Sequence, residues 1–286
     1  MKVSAIILTY NEGVRIKDCL ASATWCDEVI VVDGYSTDNT VEVARQFTDK
    51  VFLSDRLGPT KPGGFADQRN YGLDQSTCDW VFFLDADEHF TPELATEVRK
   101  RLQDGIPADI TIFRVRRREH YFGVYTPYTH GEAWQTRMLR RGAARWDTRL
   151  VHEGLITEGK TESLNGYLLH FSKDSISDYL ATQNRYTSLE AEQAVADGAP
   201  MPKSPIRGFI HTFLNLYVYK GSYREGAFGL IMSLFFAQYN FLCWAKRWEL
   251  EMKAGRIKSD QPRLRWLERL AAILSFLWQK KSPPQP

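Results

Sequence analysis

A chain of 286 residues with 43% hydrophobic content can bury one substantial core and a smaller appended region, which excludes a wholly disordered protein. The net charge of +2 hides an asymmetry: residues 1–200 carry 23 Lys and Arg against 30 Asp and Glu, whereas residues 201–286 carry 14 against 5. The four cysteines, Cys19, Cys26, Cys78 and Cys243, form no CxxC pair and no metal-type cluster, so they read as small apolar residues in a reducing compartment. The apolar start, Val3 to Leu8, meets polar Asn11-Glu12 too early for a signal peptide, which makes the cytosol the expected location.

Along the chain, short β-branched runs alternate with polar helical stretches, the pattern of an open α/β sheet with crossover helices. Strands are expected at Val3 to Leu8, Glu28 to Asp33, Lys50 to Leu53 and Trp80 to Leu84. Helices are expected at Val14 to Ala23, Thr37 to Phe47 and Phe65 to Leu73, and Thr91-Pro92 is a good start for a helix over Glu93 to Leu102. Beyond Gly105-Ile106-Pro107, strands at Ile110 to Arg118 and Gln135 to Arg140 complete the sheet, followed by a long helix from Ser175 to Ala196. The prolines and glycine of Gly198 to Pro205 place the domain boundary there, dividing a catalytic domain of 1–200 from a basic, aromatic-rich helical region of 201–286.

Ligands of open parallel sheets bind beyond the carboxyl ends of the strands, and three strands here end in polar clusters. These are Thr9-Tyr10-Asn11-Glu12, then Asp33 to Thr40, then Asp85-Ala86-Asp87-Glu88. Each alone serves equally well as a helix cap or a solvated turn. The last is the sharpest, because an apolar strand ending in three acids is costly unless a cation or another partner neutralises them, and two carboxylates flanking a small residue suit a hard cation shared with a diphosphate. No GxGxxG follows the first strand, which removes a dinucleotide oxidoreductase.

Taken together and in this order, Ile6 to Glu12, Val31 to Thr40, Ala66 to Gly72 and Phe83 to Glu88 resemble the inverting glycosyltransferases of family 2, which have the GT-A fold. Val151-His152-Glu153, Leu169-His170-Phe171 and the aromatic C-terminal region are similar to the bacterial lipopolysaccharide-core β-1,4-glucosyltransferases of that family. The resemblance implies that Thr9, Tyr10 and Glu12 border the nucleobase, that Asp33 holds the uracil or ribose side, and that Asp85 faces the ribose or the metal. It makes Asp87 the ligand proper of a divalent ion, Mg²⁺ or Mn²⁺, and puts Arg69 and Asn70 near the diphosphate of a UDP-sugar donor, although both also suit a structural helix face. Gly34-Tyr35 departs from the family, in which Ser often follows the Asp of the second motif.

An inverting transferase needs a carboxylate to take the acceptor's proton, and the family places it after the Asp85-Ala86-Asp87 strand. Glu132, Asp147 and Glu153 are available, and Glu153 is chosen because Leu150 to Gly154 resembles the family's His-Glu segment. His170, between Leu169 and Phe171, reads either as a satisfied core histidine or as a metal ligand. The expected reaction moves a hexose, glucose from UDP-glucose, to a hydroxyl of a membrane-held glycolipid such as lipopolysaccharide inner core. Transfer to a polyprenyl phosphate and a catalytically silent, membrane-docked scaffold are the alternatives.

The uncharged run from Gly226 to Ala245 and the basic, apolar run from Leu264 to Trp278 suggest docking on the anionic cytoplasmic face of the membrane, in its plane rather than across it. Lys220, Arg224, Lys246 and Arg247 flank the first run, and Tyr217, Tyr219, Tyr239, Trp244 and Trp248 suit a headgroup boundary. Packing against one another or against a second subunit is the bland reading of these helices. Long Leu-Phe-Ile runs gain little from phosphate, so no nucleic-acid partner is expected.

Overall fold

The computed structural model describes residues 1–55, 64–146, 155–202 and 204–257. By contacts the chain divides into two units, Met1–Ser175 and Ile176–Pro286. In the first, the expected order appears: β1 (Val3–Thr9), α1 (Ile16–Ala23), β2 (Glu28–Asp33), α2 (Thr40–Ala44), β3 (Val51–Leu53), α3 (Gly64–Gln75) and β4 (Trp80–Asp85). A short β5 (Glu88–Phe90), α4 (Pro92–Asp104), β6 (Ile110–Tyr121), β7 (Val124–Tyr125) and β8 (Glu132–Arg140) follow. The β9 (Ala144–Trp146) and β10 (Leu155–Thr157) hairpin and β11 (Lys160–Lys173) complete the unit. Thr91 caps α4 as its sequence predicts, accepting the Leu94 N–H, with Pro92 in the first turn.

Among the described residues one mixed sheet holds nine strands, in the order β3-β2-β1-β4-β8-β6-β11-β5, with β7 beside β6. β1 to β4 run parallel; β8 is antiparallel to both β4 and β6, and β11 is parallel to β6. Alternation along β1 sends Val3, Ala5 and Ile7 into a core with α1 and α4, while Ile6 and Leu8 enter a second core on the other face. Helix α3 lies so close to the sheet that a Cβ on Gly72 would meet the Ile6 Cγ2 at 2.6 Å, so this glycine sets the approach that brings Arg69 to the sheet.

The second unit comprises α5 (Ile176–Ala196), α6 (Pro205–Leu214), a π-helical turn (Asn215–Tyr219), a 3₁₀ turn (Ser222–Glu225) and α7 (Gly226–Lys253). The sequence pattern puts α5 with the catalytic domain, whereas the division falls at 175/176 because α5 fastens to α7. Tyr179 stacks on Phe235 at 5.5 Å, and the Lys246 ammonium donates to the Asn184 carbonyl and to Thr187 and Ser188 hydroxyls. Arg247, 6% exposed, donates to the Ala199 and Pro200 carbonyls, and Trp244 donates to Pro202 O at 2.9 Å. Lys246, Arg247 and Trp244, expected to face lipid headgroups, therefore hold this unit together.

Candidate active site

Register aligns the ends of the parallel strands: Thr9 lies opposite Asp33, and Leu8 opposite Asp85. The loops after β1 and β2 are tied to each other. Thr37 N–H donates to the Asn11 side chain at 2.8 Å, Asn11 N–H to Ser36 Oγ at 2.8 Å, Glu12 N–H to Thr40 Oγ1 at 2.9 Å and Gly13 N–H to Asp38 at 3.1 Å. Two non-glycine residues here, Asn11 (φ 54°) and Tyr35 (φ 65°), adopt the left-handed conformation, which costs most at Tyr35. The Gly34-Tyr35 departure thereby acquires a physical meaning: Ser36 comes round to bond buried Asp33, through its N–H at 2.9 Å and its hydroxyl at 2.6 Å. Tyr10 and Tyr35 stand more than half exposed at the rim, and the buried Thr9 Oγ1 has no hydrogen-bond partner among the described residues.

The three acids after β4 find partners on strands remote in sequence. Arg137 of β8, itself buried, donates to Asp85 at 2.9 Å and to fully buried Glu88, which Arg117 of β6 also approaches at 3.4 Å. Burial opposes ionisation of Asp85, but Arg137 and Arg69 outweigh it and hold its carboxyl below the usual range. Glu88 shares that arginine and is pushed up, by burial first and then by the adjacent Asp85 charge. Glu88→Gln leaves Arg137 with Asp85 as counter-charge and weakens one buried charged hydrogen bond, so its expected cost is about 1–3 kcal/mol, read as a lowered midpoint in denaturant unfolding.

Asp87 belongs to a second row. Strand register sets Glu88, His170 and Glu119 side by side across β5, β11 and β6. His170 bridges two carboxylates, with Nε2 3.2 Å from Asp87 Oδ2 and Nδ1 2.6 Å from Glu119 Oε2, while Arg117 donates to Glu119 at 2.7 Å. Burial disfavours the imidazolium, yet hydrogen bonds to Asp87 and Glu119 outweigh it and push His170 up to about 9. Because this folded value lies above the usual 6.5, the stabilisation is whole below about pH 6.5 and is lost as the pH rises through about 9. In excess chelator, the melting temperature should fall over that range and the slope should vanish in His170→Gln.

Among the described residues no group of three or more His, Cys, Asp or Glu is arranged to hold a metal ion. Asp87 Oδ2 and His170 Nε2 lie 3.2 Å apart, and the pair could hold a divalent ion only in place of the proton that lies between them. The Glu12 carboxyl feels the same charge, being raised by burial and by Asp87. Asp85, expected at the ribose or metal, accepts from Arg137 through Oδ2 at 2.9 Å.

β4 pairs with β8 at three positions, from Trp80 opposite Arg140 to Phe82 opposite Met138, and beyond Phe82 the edge of β8 borders an opening. A cavity of about 480 Å³ lies there, lined by Asp85, Arg69, Arg117, Arg137, Trp134 and Trp146 among others. Arg69 lies 4.7 Å over the Trp146 ring. Asn70, expected beside the donor, spends both ends of its amide on the Trp146 backbone, at 2.8 and 3.0 Å, and so fastens β9 to α3. Three guanidiniums thus line one cavity beside Asp85, with Arg137 also paired to Glu88 and Arg117 to Glu119, so the unshared N–H donors can meet an anion's oxygens. Arg117, Arg137, Glu119 and Trp134 are absent from the sequence-derived site; the signal available was charge at positions of β6 and β8 where a strand pattern calls for apolar side chains.

The family profile described as Glycosyl transferase family 2 matches residues 4–155, more than half of the chain. The chain is a family 2 glycosyltransferase. It is 33% identical over 271 residues to the lipopolysaccharide core biosynthesis glycosyltransferase LpsC of Rhizobium meliloti, covering 91% of this chain and 97% of that one. It is 27% identical to an uncharacterized glycosyltransferase of Rickettsia prowazekii, RP128, over 100% of this chain and 99% of the relative. The solved structure of S. aureus TarS 1-349 with UDP-GlcNAc aligns over 90% of this transferase and 93% of that chain, with 14% identity and a TM-score of 0.42, too distant to bear on the site. The expected base of the transferase, Glu153, lies outside the described residues, as does Asp147. Glu132 is a poor base: Arg118, Tyr125 and Arg116 all bind it and, against burial, hold its carboxyl below the usual range.

Proposed function

We propose that this transferase moves a hexose, glucose from UDP-glucose, to a hydroxyl of a membrane-held glycolipid of the lipopolysaccharide core, with inversion and with the aid of a divalent ion. The observation that carries the reading is the cluster of Arg69, Arg117 and Arg137 beside Asp85 where β4 ends. Kinship to LpsC supports the class of acceptor. The arginines receive the donor's diphosphate bidentately, and the stack of Arg69 on Trp146 keeps one guanidinium in plane. Thr9, Tyr10 and the Asp33–Ser36 turn border the nucleoside. Asp87 and His170 would hold the ion, with Glu12 near, and a bound ion would neutralise the departing diphosphate.

Glu153 takes the acceptor's proton in a single displacement, which inverts the anomeric carbon. Proton NMR of the product from an α-linked donor should therefore show a β linkage, and a retained α linkage would rule out this course. Thermal-shift titration with several nucleotide-sugars, with and without Mg²⁺ or Mn²⁺, tests the donor. UDP-glucose with metal should give the largest rise in melting temperature, and an equal response to every nucleotide would defeat that specificity.

A further inference from the structure

Strand β6 carries Arg114, Arg116 and Arg118 on alternate positions of one face, away from the half-buried Arg117. Trp134 of β8 lies between the first two, with the Arg114 and Arg116 guanidiniums 5.6 and 5.7 Å from its ring centroid. Arg118 covers Tyr167 at 3.4 Å. One carboxylate, Glu132, answers Arg116 at 3.0 Å and Arg118 at 2.6 Å, whereas Arg114 meets the Ser163 hydroxyl at 3.3 Å. The row therefore keeps excess positive charge. Trp134 is 46% exposed, and the same residue also lines the arginine cavity, so the row borders that cavity.

We infer that Trp134 with Arg114 and Arg116 forms a second sugar subsite, which takes an anionic residue of the acceptor saccharide next to the hydroxyl that reacts. The inference rests on the proposed transfer to a glycolipid and adds where and by what chemistry that acceptor is held. A pyranose presents an apolar face of C–H groups that packs on an exposed indole, and a carboxylate or phosphate on the same ring accepts a guanidinium fork. Arg116 is fixed by Glu132 and by donating to the Asn165 carbonyl at 2.8 Å, so Arg114 is the arm with freedom to close on the anion. Trp134 thus orients the sugar and Arg114 selects for its charge.

The test is equilibrium binding of deacylated lipopolysaccharide core oligosaccharide to the full-length protein without donor or metal. Three forms of the oligosaccharide are compared: untreated, phosphatase-treated and carboxyl-reduced. The wild type should bind the untreated form, and Arg114→Glu should weaken binding at least tenfold, with Arg114→Gln intermediate and melting temperatures unchanged. Whichever treatment erases the difference between wild type and Arg114→Glu identifies phosphate or carboxylate as the ligand. Wild-type protein that ignores the untreated oligosaccharide, or an Arg114→Glu variant that binds it equally, overturns the subsite. Nucleotide-sugar hydrolysis, measured separately, should be the same in wild type and Arg114→Glu. Its absence from both would count against the proposed reaction while leaving the binding result to stand on its own.

Discussion

Asp87→Ala is expected to cut transfer by a factor of about 10³ or more, because an ion stabilising the leaving diphosphate contributes several kcal/mol to the transition state. Donor affinity without metal should change far less, since Arg69, Arg117 and Arg137 lie around Asp85 rather than Asp87. The substitution removes a partly exposed side chain at a strand end and leaves the Arg137–Glu88 pair intact, so the fold should survive. His170→Ala removes the other side of the pair and should lower transfer with a smaller loss, as Glu12 and Asp87 remain. Circular dichroism establishes folding, and transfer is assayed with Mg²⁺, with Mn²⁺ and in excess chelator. Full activity of Asp87→Ala, or of wild type in chelator, would end the metal-assisted reading. Loss of activity together with loss of the folding transition would instead make Asp87 a structural partner of His170.

How much of this site was legible in the sequence depended on distance along the chain. Thr9, Asp33 and Asp85 sit where short apolar runs stop, and each run announces its own end, so these positions were readable one element at a time. The three acids after β4 also announced that something must neutralise them. Its identity was not local: Arg137 is 49 residues from Glu88 and His170 is 51 from Glu119, and only antiparallel pairing of β8 and the register of β11 bring them together. The second unit shows the same limit. The prolines after Gly198 mark a true break between helices, yet α5 presents Tyr179, Gln183, Thr187 and Ala191 to its own unit, and a stripe half polar gives no sign of which unit will cover it. Asn70 illustrates the converse: the Arg69-Asn70 pair was recognised as a motif, and the fold divides it into one residue for the cavity and one for holding β9.

Glutamates placed on the exposed apolar face of α6 are expected to release the protein from anionic vesicles. Ile210 and Leu214 lie one turn apart on α6 and are about half exposed, and Val218 and Tyr219 continue outward on the following turn at 57% and 87%. On α7, Leu230, Leu234 and Phe241 recur at helical spacing and are each more than a third exposed. The segment Ser222–Lys253 is also long and apolar enough to cross a membrane. Several of its polar side chains point to partners in its own unit: Tyr239 to Glu190 at 2.6 Å, Asn240 to Thr212 at 2.7 Å, and Lys246 to α5. A helix tethered by polar contacts along one side and apolar on another suits an in-plane position better than a span. Removing residues 206–286 would strip α7 from α5 as well as from any membrane, so point substitutions are the cleaner test. Each leucine or isoleucine side chain moved from water to an apolar phase gains roughly 1.5–3 kcal/mol, so Ile210→Glu with Leu214→Glu should weaken vesicle partitioning by at least about 100-fold. Sedimentation with vesicles of phosphatidylglycerol and phosphatidylethanolamine at low salt reads this, while nucleotide-sugar hydrolysis should be unchanged and transfer to a lipid-linked acceptor should fall. Equal sedimentation of the variant and the wild type would mean that this face meets another protein surface and that the lipid-linked acceptor reaches the enzyme by some other route.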